Sequence, residues 1–196
     1  MLGSLPRSLE VNGTQYEIDA DFRTVLNIFL AFSDDELTDQ EKAYICLHNL
    51  YADFDSIPSK DVEAAYKSAI DFISYGSHAE DEHGKRKLID WVQDESLIFP
   101  AVNKAAGMEV RETPFMHWWT FLGHFQSIDN ESLLGTVLSI RQKKSKGKKL
   151  EKWEREFERG NRSICALPEN KNRRTPEDDL QAMIQQMIEE GAIEHE

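Results

Sequence analysis

The sequence predicts a mainly α-helical protein that carries one small β-hairpin. Apolar residues recur at helical spacing along most of the 196 residues, and capping residues precede several of these stretches. Only one short stretch alternates in the manner of β-strands. We therefore expect a compact helical domain of about seven helices, with an N-terminal β-hairpin and a C-terminal amphipathic helix.

The hairpin is predicted over residues 8–18. Apolar side chains alternate on both arms, and Asn12 and Gly13 between the arms can adopt the positive φ angles of a type I′ turn. Two strands alone are only marginally stable, so we expect the hairpin to pack on helices.

The first two helices follow from their apolar spacing and their caps. The first is predicted over about residues 21–32, with Asp19 or Asp21 as its cap. The second begins at Thr38, where Glu41 completes a capping box. The side chains expected to face inward are Phe22, Val25, Leu26, Phe29, Phe32, Tyr44, Leu47, Leu50, Tyr51 and Phe54.

A third helix is predicted from Ser59, its cap, to Gly76. The polar stretch 76–86 has no apolar period and is interpreted as a loop. It contains three candidate metal ligands, His78, Asp81 and His83. A solvated linker is the preferred interpretation, because nothing rigid fixes the geometry of these ligands.

The fourth helix is predicted from about Leu88 to Ala106, with Gly107 as its stop. Pro100 lies inside it. Proline removes one backbone hydrogen bond and clashes with the preceding turn, so we expect a kink or a split at this residue.

Three more helices are predicted before residue 160. Thr113 caps the fifth, with Pro114 at the first helical position. Asp129 or Asn130 caps the sixth, and Gly147 separates the sixth from the seventh. The side chains expected to face inward are Phe115, Trp118, Trp119, Leu122 and Phe125, then Leu133, Leu134, Val137 and Leu138, then Leu150, Trp153 and Phe157.

The domain organisation is predicted as a helical domain over residues 1–160, a polar linker over 161–174 and a C-terminal amphipathic helix over 175–191. The apolar stripe of this last helix is Leu180, Met183, Ile184, Met187 and Ile188. Methionine adapts to varied surfaces, so the stripe is a candidate partner-binding surface. The alternative is that this helix folds back on its own domain.

Charge is distributed unevenly along the chain, whose net charge is −13. Residues 1–140 carry 10 Lys and Arg against 24 Asp and Glu, residues 141–174 carry 13 against 5, and residues 175–196 carry none against 7. This balance argues against nucleic acid and anionic membranes as partners of the whole molecule.

The most concentrated basic run holds six cations, Arg141, Lys143, Lys144, Lys146, Lys148 and Lys149. One interpretation is a phosphate-binding patch for nucleic acid. Glutamates interleave with cations in the helix that follows, which favours a solvated face or the docking of an acidic protein partner. We therefore include these six residues with the C-terminal stripe as candidate partner-binding residues.

Catalytic and cofactor-binding patterns are not found in the sequence. It has no phosphate-binding glycine loop, no dinucleotide fingerprint, no zinc-protease motif and no nucleophile elbow. His117, Trp118 and Trp119 are interpreted as core residues, since each tryptophan buries about 200 Å². Cys46 and Cys165 are expected to be reduced thiols. We expect a protein that is not an enzyme and needs no cofactor or metal.

Three groups of residues carry a resemblance to a known family. They are Asp90, Trp91, Asp94 and Ala101; His117, Trp118, Trp119 and Phe121; and Ile140, Arg141, Gly147, Lys148, Lys149, Leu150 and Trp153. In this order, and with Asp21-Phe22-Arg23 upstream, residues 5–165 resemble a family of small proteins from tailed phages and prophages of Gram-positive bacteria. The genes of that family lie between those for the major tail protein and the tape-measure protein.

The resemblance implies a tail assembly chaperone that binds the tape-measure protein, and possibly the major tail protein, in the host cytoplasm. The alternative is a structural tail or connector component that stays in the virion. The shared motifs are not known binding residues, so they assign no site. Self-association is compatible with either role. No apolar run is long enough to span a membrane, and we expect no secretory signal.

Overall fold

The computed structural model describes residues 3–74 and 88–167, which contain eight α-helices, two β-strands and three short 3₁₀-helices. The predicted mainly α class with an N-terminal hairpin is therefore confirmed. The elements are β1 Ser8–Val11, β2 Thr14–Glu17, α1 Phe22–Ser33, α2 Asp39–Leu50, α3 Val62–Ile73, α4 Glu95–Ala106, α5 Trp118–Gln126, α6 Leu133–Ser145, α7 Lys152–Gly160 and α8 Arg162–Cys165.

The described residues form two compact units. Unit 1 contains residues 3–74 and His117–Trp119, and unit 2 contains residues 88–116 and 120–167. The short helix α8 occupies the start of the stretch predicted as a linker. The predicted helix over 175–191 lies outside the described residues, as does the 76–86 loop with His78, Asp81 and His83, so these and the domain boundaries stay predictions.

The hairpin has the predicted turn. β1 and β2 pair antiparallel with Leu9 opposite Tyr16. Asn12 and Gly13 have φ angles of 47° and 84°, as a type I′ turn requires. The Ser68 hydroxyl on α3 donates to the Glu10 carbonyl at 3.0 Å, which fastens β1 to a helix of unit 1.

The predicted caps of α1 and α2 are confirmed. The Asp21 carboxylate accepts from the backbone N–H of Arg23 at 2.9 Å. The Thr38 N–H donates to the Glu41 carboxylate at 2.8 Å, and the Glu41 N–H donates to the Thr38 hydroxyl at 3.3 Å. Each reciprocal bond satisfies a backbone donor that the first turn of a helix leaves without a partner.

The inward face predicted for α2 is wrong at Tyr44, which is 56% exposed. The buried side chains of α2 are Ala43, Cys46, Leu47 and Leu50, a complete stripe at helical spacing. At the next helix, Ser59 does not cap α3 but begins a 3₁₀-helix that ends at Asp61. The cap of the α-helix is Asp61, so the helix begins two residues later than predicted.

His117 and Trp118 lie in the core of unit 1, as predicted. The Trp118 indole N–H donates to the Ile73 carbonyl at 2.8 Å, and the Trp119 indole N–H to the Phe72 carbonyl at 3.0 Å. Both tryptophans thereby satisfy the last carbonyls of α3, which the helix itself leaves without donors. These residues are structural rather than a binding platform.

The predicted start of α5 at Thr113 is wrong. Thr113 instead closes the 3₁₀-helix Val110–Glu112, because its hydroxyl donates to the Val110 carbonyl at 2.7 Å. The helix begins at Trp118, where Nδ1 of His117 accepts from the Trp119 N–H at 3.0 Å. Since Nδ1 accepts, Nε2 carries the proton and donates to the Pro6 carbonyl at 2.8 Å.

The fourth helix begins at Glu95 rather than near Leu88. Oδ1 of Asp90 accepts from the N–H groups of Val92 and Gln93 at 3.1 and 3.0 Å. Such side-chain bonds give the backbone an alternative to a helix, and residues 91–94 form turns instead. Helix α4 is not split at Pro100, and it ends as predicted before Gly107, whose φ is 69°.

A buried ion pair organises unit 2. Arg141 on α6 donates from Nη1 and Nη2 to the two carboxylate oxygens of Asp94, at 2.6 and 2.8 Å. The same guanidinium donates to the carbonyls of Leu88 at 2.8 Å and Ile164 at 2.6 Å. One side chain therefore holds the segment before α4, the start of α4, and α8 against α6.

Helix α6 packs closely against the backbone of Asp129 and Asn130, which precede it. Its cap is Ser132, which accepts from the Gly135 N–H at 2.9 Å, rather than the predicted Asp129 or Asn130. Leu133 was expected inside but is exposed, whereas Leu134 and Val137 are buried. A Cβ at Gly135 would lie 2.6 Å from the Asp129 carbonyl oxygen, so only glycine fits here.

We predict that Asp94→Ala lowers the free energy of unfolding by about 3 to 5 kcal/mol, because it leaves the Arg141 guanidinium buried without its counterion. Urea denaturation measures this loss. The adjacent exposed Glu95→Ala is the control and should cost less than about 1 kcal/mol. Equal losses in the two variants would contradict the role given to the pair.

We predict opposite signs for two glycine substitutions in helices. Gly135→Ala should destabilise the protein by about 1 to 3 kcal/mol, since the added methyl group meets backbone atoms that cannot withdraw. Gly123→Ala on α5 meets nothing within 4 Å, so it should stabilise by up to about 1 kcal/mol through helix propensity. Thermal denaturation compares them, and stabilisation by both would disprove the close approach.

Candidate partner-binding surface

The structure divides the predicted basic run into residues with structural partners and residues that face solvent. Arg141 is 4% exposed, and both of its Nη atoms are bonded inside unit 2. A partner protein cannot reach this guanidinium. The inclusion of Arg141 among partner-binding residues is therefore corrected: it is a core residue whose charge is balanced by Asp94.

Lys143 and Lys144 form ion pairs between α6 and α7. Lys143 Nζ donates to the Glu154 carboxylate at 2.6 Å, and Lys144 pairs with Glu158. Glu154 is 1% exposed, and its second oxygen accepts from the Glu151 N–H at 2.8 Å. The Lys143 hydrogen bond, helped by this backbone donor, holds the pKa of the Glu154 carboxyl below its ordinary value.

The remaining predicted cations are Lys146, Lys148 and Lys149, which lie in the turn and extended segment between α6 and α7. All three side chains are exposed. Gly147 has a φ of 65°, and the Lys148 N–H donates to the Lys143 carbonyl at 2.8 Å, which closes the end of α6. Within residues 88–167, no ion pair occupies any of these three lysines.

Trp153 lies beside these lysines and was wrongly predicted to be buried. It is 53% exposed, and its indole N–H donates to the Glu151 carboxylate at 3.1 Å. The prediction counted Leu150 as the first residue of the stripe, but α7 begins only at Lys152. The Glu151-x-x-Glu154 spacing resembles a capping box and marks the true start of the helix.

Unit 1 carries a second surface that sequence reasoning missed. A shallow groove of about 280 Å³ at the start of α2 is lined by Leu37, Gln40, Glu41, Tyr44 and Ile45. The Tyr44 ring lies 5.5 Å from the His48 ring and 6.0 Å from the Phe54 ring, so neighbouring side chains support it. The correct α2 stripe, which begins at Ala43, would have placed Tyr44 outside.

Glu41 lines this groove, and four more acidic residues lie close to the lining residues in sequence. These four are Asp34, Asp35, Glu36 and Asp39. Hydrogen bonds from the backbone and the hydroxyl of Thr38 lower the pKa of Glu41, which keeps its carboxylate charged. The groove is therefore a mainly apolar surface in an acidic stretch of the chain, and we call these five carboxylates its rim.

The C-terminal stripe of Leu180, Met183, Ile184, Met187 and Ile188 lies outside the described residues, so its role stays a prediction.

No helix within residues 3–74 and 88–167 is long and apolar enough to cross a membrane. The same residues contain no group of three or more side chains that could hold a metal. Both cysteines are free and buried, and burial raises the pKa of Cys46 to about 12.

A family model described as "Bacteriophage Gp15 protein" matches residues 1–167 of the chain. No curated protein matches the chain, and no solved structure matches it. The matched residues include both units as far as the structure describes them.

We predict that Glu154→Gln lowers the free energy of unfolding by about 1 to 3 kcal/mol at neutral pH, because a charge-assisted hydrogen bond is lost. The folded-state pKa of Glu154 is depressed, so its stabilising contribution is present above the ordinary value of 4.5 and is lost as the pH falls through the folded value. Urea denaturation of the two proteins should therefore converge in acid.

The exposed Glu156→Gln on the same helix is the control for this experiment. Its effect should be small at neutral pH and should not change in the same way with pH. A difference between wild type and Glu154→Gln that persists unchanged in acid would rule out the proposed charge dependence.

Proposed function

Because the chain belongs to the bacteriophage Gp15 protein family, we propose that it is a phage tail assembly chaperone that binds the tape-measure protein. Family membership supports a structural or morphogenetic phage protein in general terms. The narrower role rests on the motifs that resemble proteins encoded beside the tape-measure gene. In this proposal the protein acts without enzymatic activity, in the cytoplasm of the host.

The family match supports a phage morphogenesis protein, the motif resemblance carries the narrower chaperone role, and the chemistry of the chain is compatible with both. A chaperone for a long helical client needs adaptable apolar surface, which the methionine-containing stripe from Leu180 to Ile188 would provide. The net charge of −13 would keep a complex with an aggregation-prone client in solution. We assign the client contact to this stripe.

Co-expression with the tape-measure protein encoded by the same phage tests the proposal. We expect the soluble fraction of the tape-measure protein to rise and a complex to elute in gel filtration. Met183→Asp should reduce both effects, because it places a charge on the apolar stripe. The matched control is Gln185→Asp, which adds the same charge at a polar position of the same segment and should leave both effects unchanged.

Equal solubility of the tape-measure protein with and without this chain, and no complex, would refute the chaperone role. Mass spectrometry of purified phage particles distinguishes the alternative. A chaperone is absent from the finished particle, whereas a structural tail or connector component is present in it.

A further inference from the structure

Two exposed surfaces of this chain carry opposite charge. On unit 2, the exposed Trp153 follows closely in sequence after the exposed cations Lys148, Lys149 and Lys152, and we name this surface the tryptophan face. On unit 1, the acid-rimmed groove at the start of α2 has a mainly apolar lining. One surface presents a large aromatic ring with positive charge, and the other is a groove with negative charge.

We propose that the tryptophan face of one molecule docks into the α2 groove of a second copy of the same chain. The groove, at about 280 Å³, lies just below the 300–1,000 Å³ range of drug-sized ligand pockets and suits one large side chain better than a whole ligand. Tryptophan is the residue type most typical of binding hot spots. The Lys148 and Lys149 ammonium groups would then face the carboxylates of the rim.

The indole is already held in place for such docking. Its N–H donates to Glu151 at 3.1 Å, so the exposed ring is fixed at the start of α7. A side chain that is ordered before binding loses less conformational entropy when it docks. Docking of Trp153 therefore costs less conformational entropy than docking of a freely rotating side chain would.

Charge identifies a second copy as the occupant. Residues 1–74 carry 14 acidic against 5 basic residues, whereas residues 146–162 carry 7 basic against 4 acidic. Two of those four acids, Glu154 and Glu158, already pair with Lys143 and Lys144. The tryptophan face is thus more basic than its composition suggests, and the same chain supplies the acidic surface that complements it.

The contact joins two different surfaces, so it is heterologous. Each pair retains one free groove, on the molecule whose tryptophan face is docked, and one free tryptophan face, on the other molecule. Assembly therefore continues until a ring closes or a filament forms. The proposal does not depend on the chaperone role, because it concerns surfaces distinct from the C-terminal stripe.

Sedimentation velocity of the full chain over a range of concentrations tests the proposal. We expect the sedimentation coefficient to rise with concentration at low salt. The rise should disappear as ionic strength increases from about 0.01 M to about 1 M, where the Debye length falls from about 30 Å to about 3 Å. A chain that stays monomeric at low salt and high concentration would overturn the proposal, since an intramolecular contact gives that result.

Two variants each remove one half of the contact. Trp153→Ala removes the docking side chain, and Tyr44→Arg places a cation in the groove; each should weaken self-association about tenfold or more, as loss of a hot-spot residue does. The matched controls are Leu133→Ala and Leu30→Arg, which change side chains 51% and 45% exposed elsewhere on the two units. Controls that weaken assembly equally would overturn the assignment.

Mixing the two variants is the decisive experiment. Trp153→Ala keeps an intact groove, and Tyr44→Arg keeps an intact tryptophan face, so the mixture should form a one-to-one dimer that grows no further. A mixture that stays monomeric, or that assembles like wild type, would overturn the heterologous contact. If Trp153→Ala loses its circular dichroism spectrum, Lys148→Glu with Lys149→Glu replaces it. If Tyr44→Arg does, Gln40→Arg in the same groove replaces it, and the same outcomes are expected.

Discussion

The buried charge of Arg141 is the constraint on which unit 2 depends. A guanidinium removed from water must be neutralised and hydrogen-bonded, or it costs several kcal/mol. Asp94 supplies the countercharge, and the carbonyls of Leu88 and Ile164 take the remaining Nη donors. Among the described buried side-chain polar atoms, only Nε of Arg141 has no hydrogen-bond partner. The position of α6 is thus set by polar requirements as much as by packing.

This constraint also determines which cations remain available. With Arg141 held inward, the next turn of α6 presents Lys143 and Lys144 to α7, where Glu154 and Glu158 pair with them. Within residues 88–167, the lysines of this run that form no ion pair are those beyond the end of α6, Lys146, Lys148 and Lys149. Trp153, one residue before the buried Glu154, then points to solvent. The candidate surface is therefore a consequence of how α6 and α7 are joined.

Local signals made much of unit 1 predictable. Asn12-Gly13 specifies a turn by itself, and Thr38 with Glu41 specifies a helix start, because the interacting groups are neighbours in sequence. The errors at Tyr44 and Trp153 came from misplaced local stripes, whereas other features have non-local or unusual causes. The start of α5 depends on a ring nitrogen of His117, which is not a customary capping group, and Asp94 and Arg141 lie 47 positions apart. Sequence spacing cannot reveal which charges will be buried together, so the six cations of the basic run could not be sorted in advance.

The contacts of Arg141 with Asp94, Leu88 and Ile164 join distant parts of the chain, as a disulfide would. The two cysteines of this chain are free. Arg141 closes the chain between residues 88 and 164 at three points. Unlike a covalent bridge, it places no restriction on the unfolded chain, so its whole contribution lies in the native state. Breaking any one of these contacts leaves the buried Arg141 charge with fewer hydrogen bonds. Partial unfolding of unit 2 is therefore unfavourable. Cooperative unfolding of unit 2 is therefore built into a single side chain.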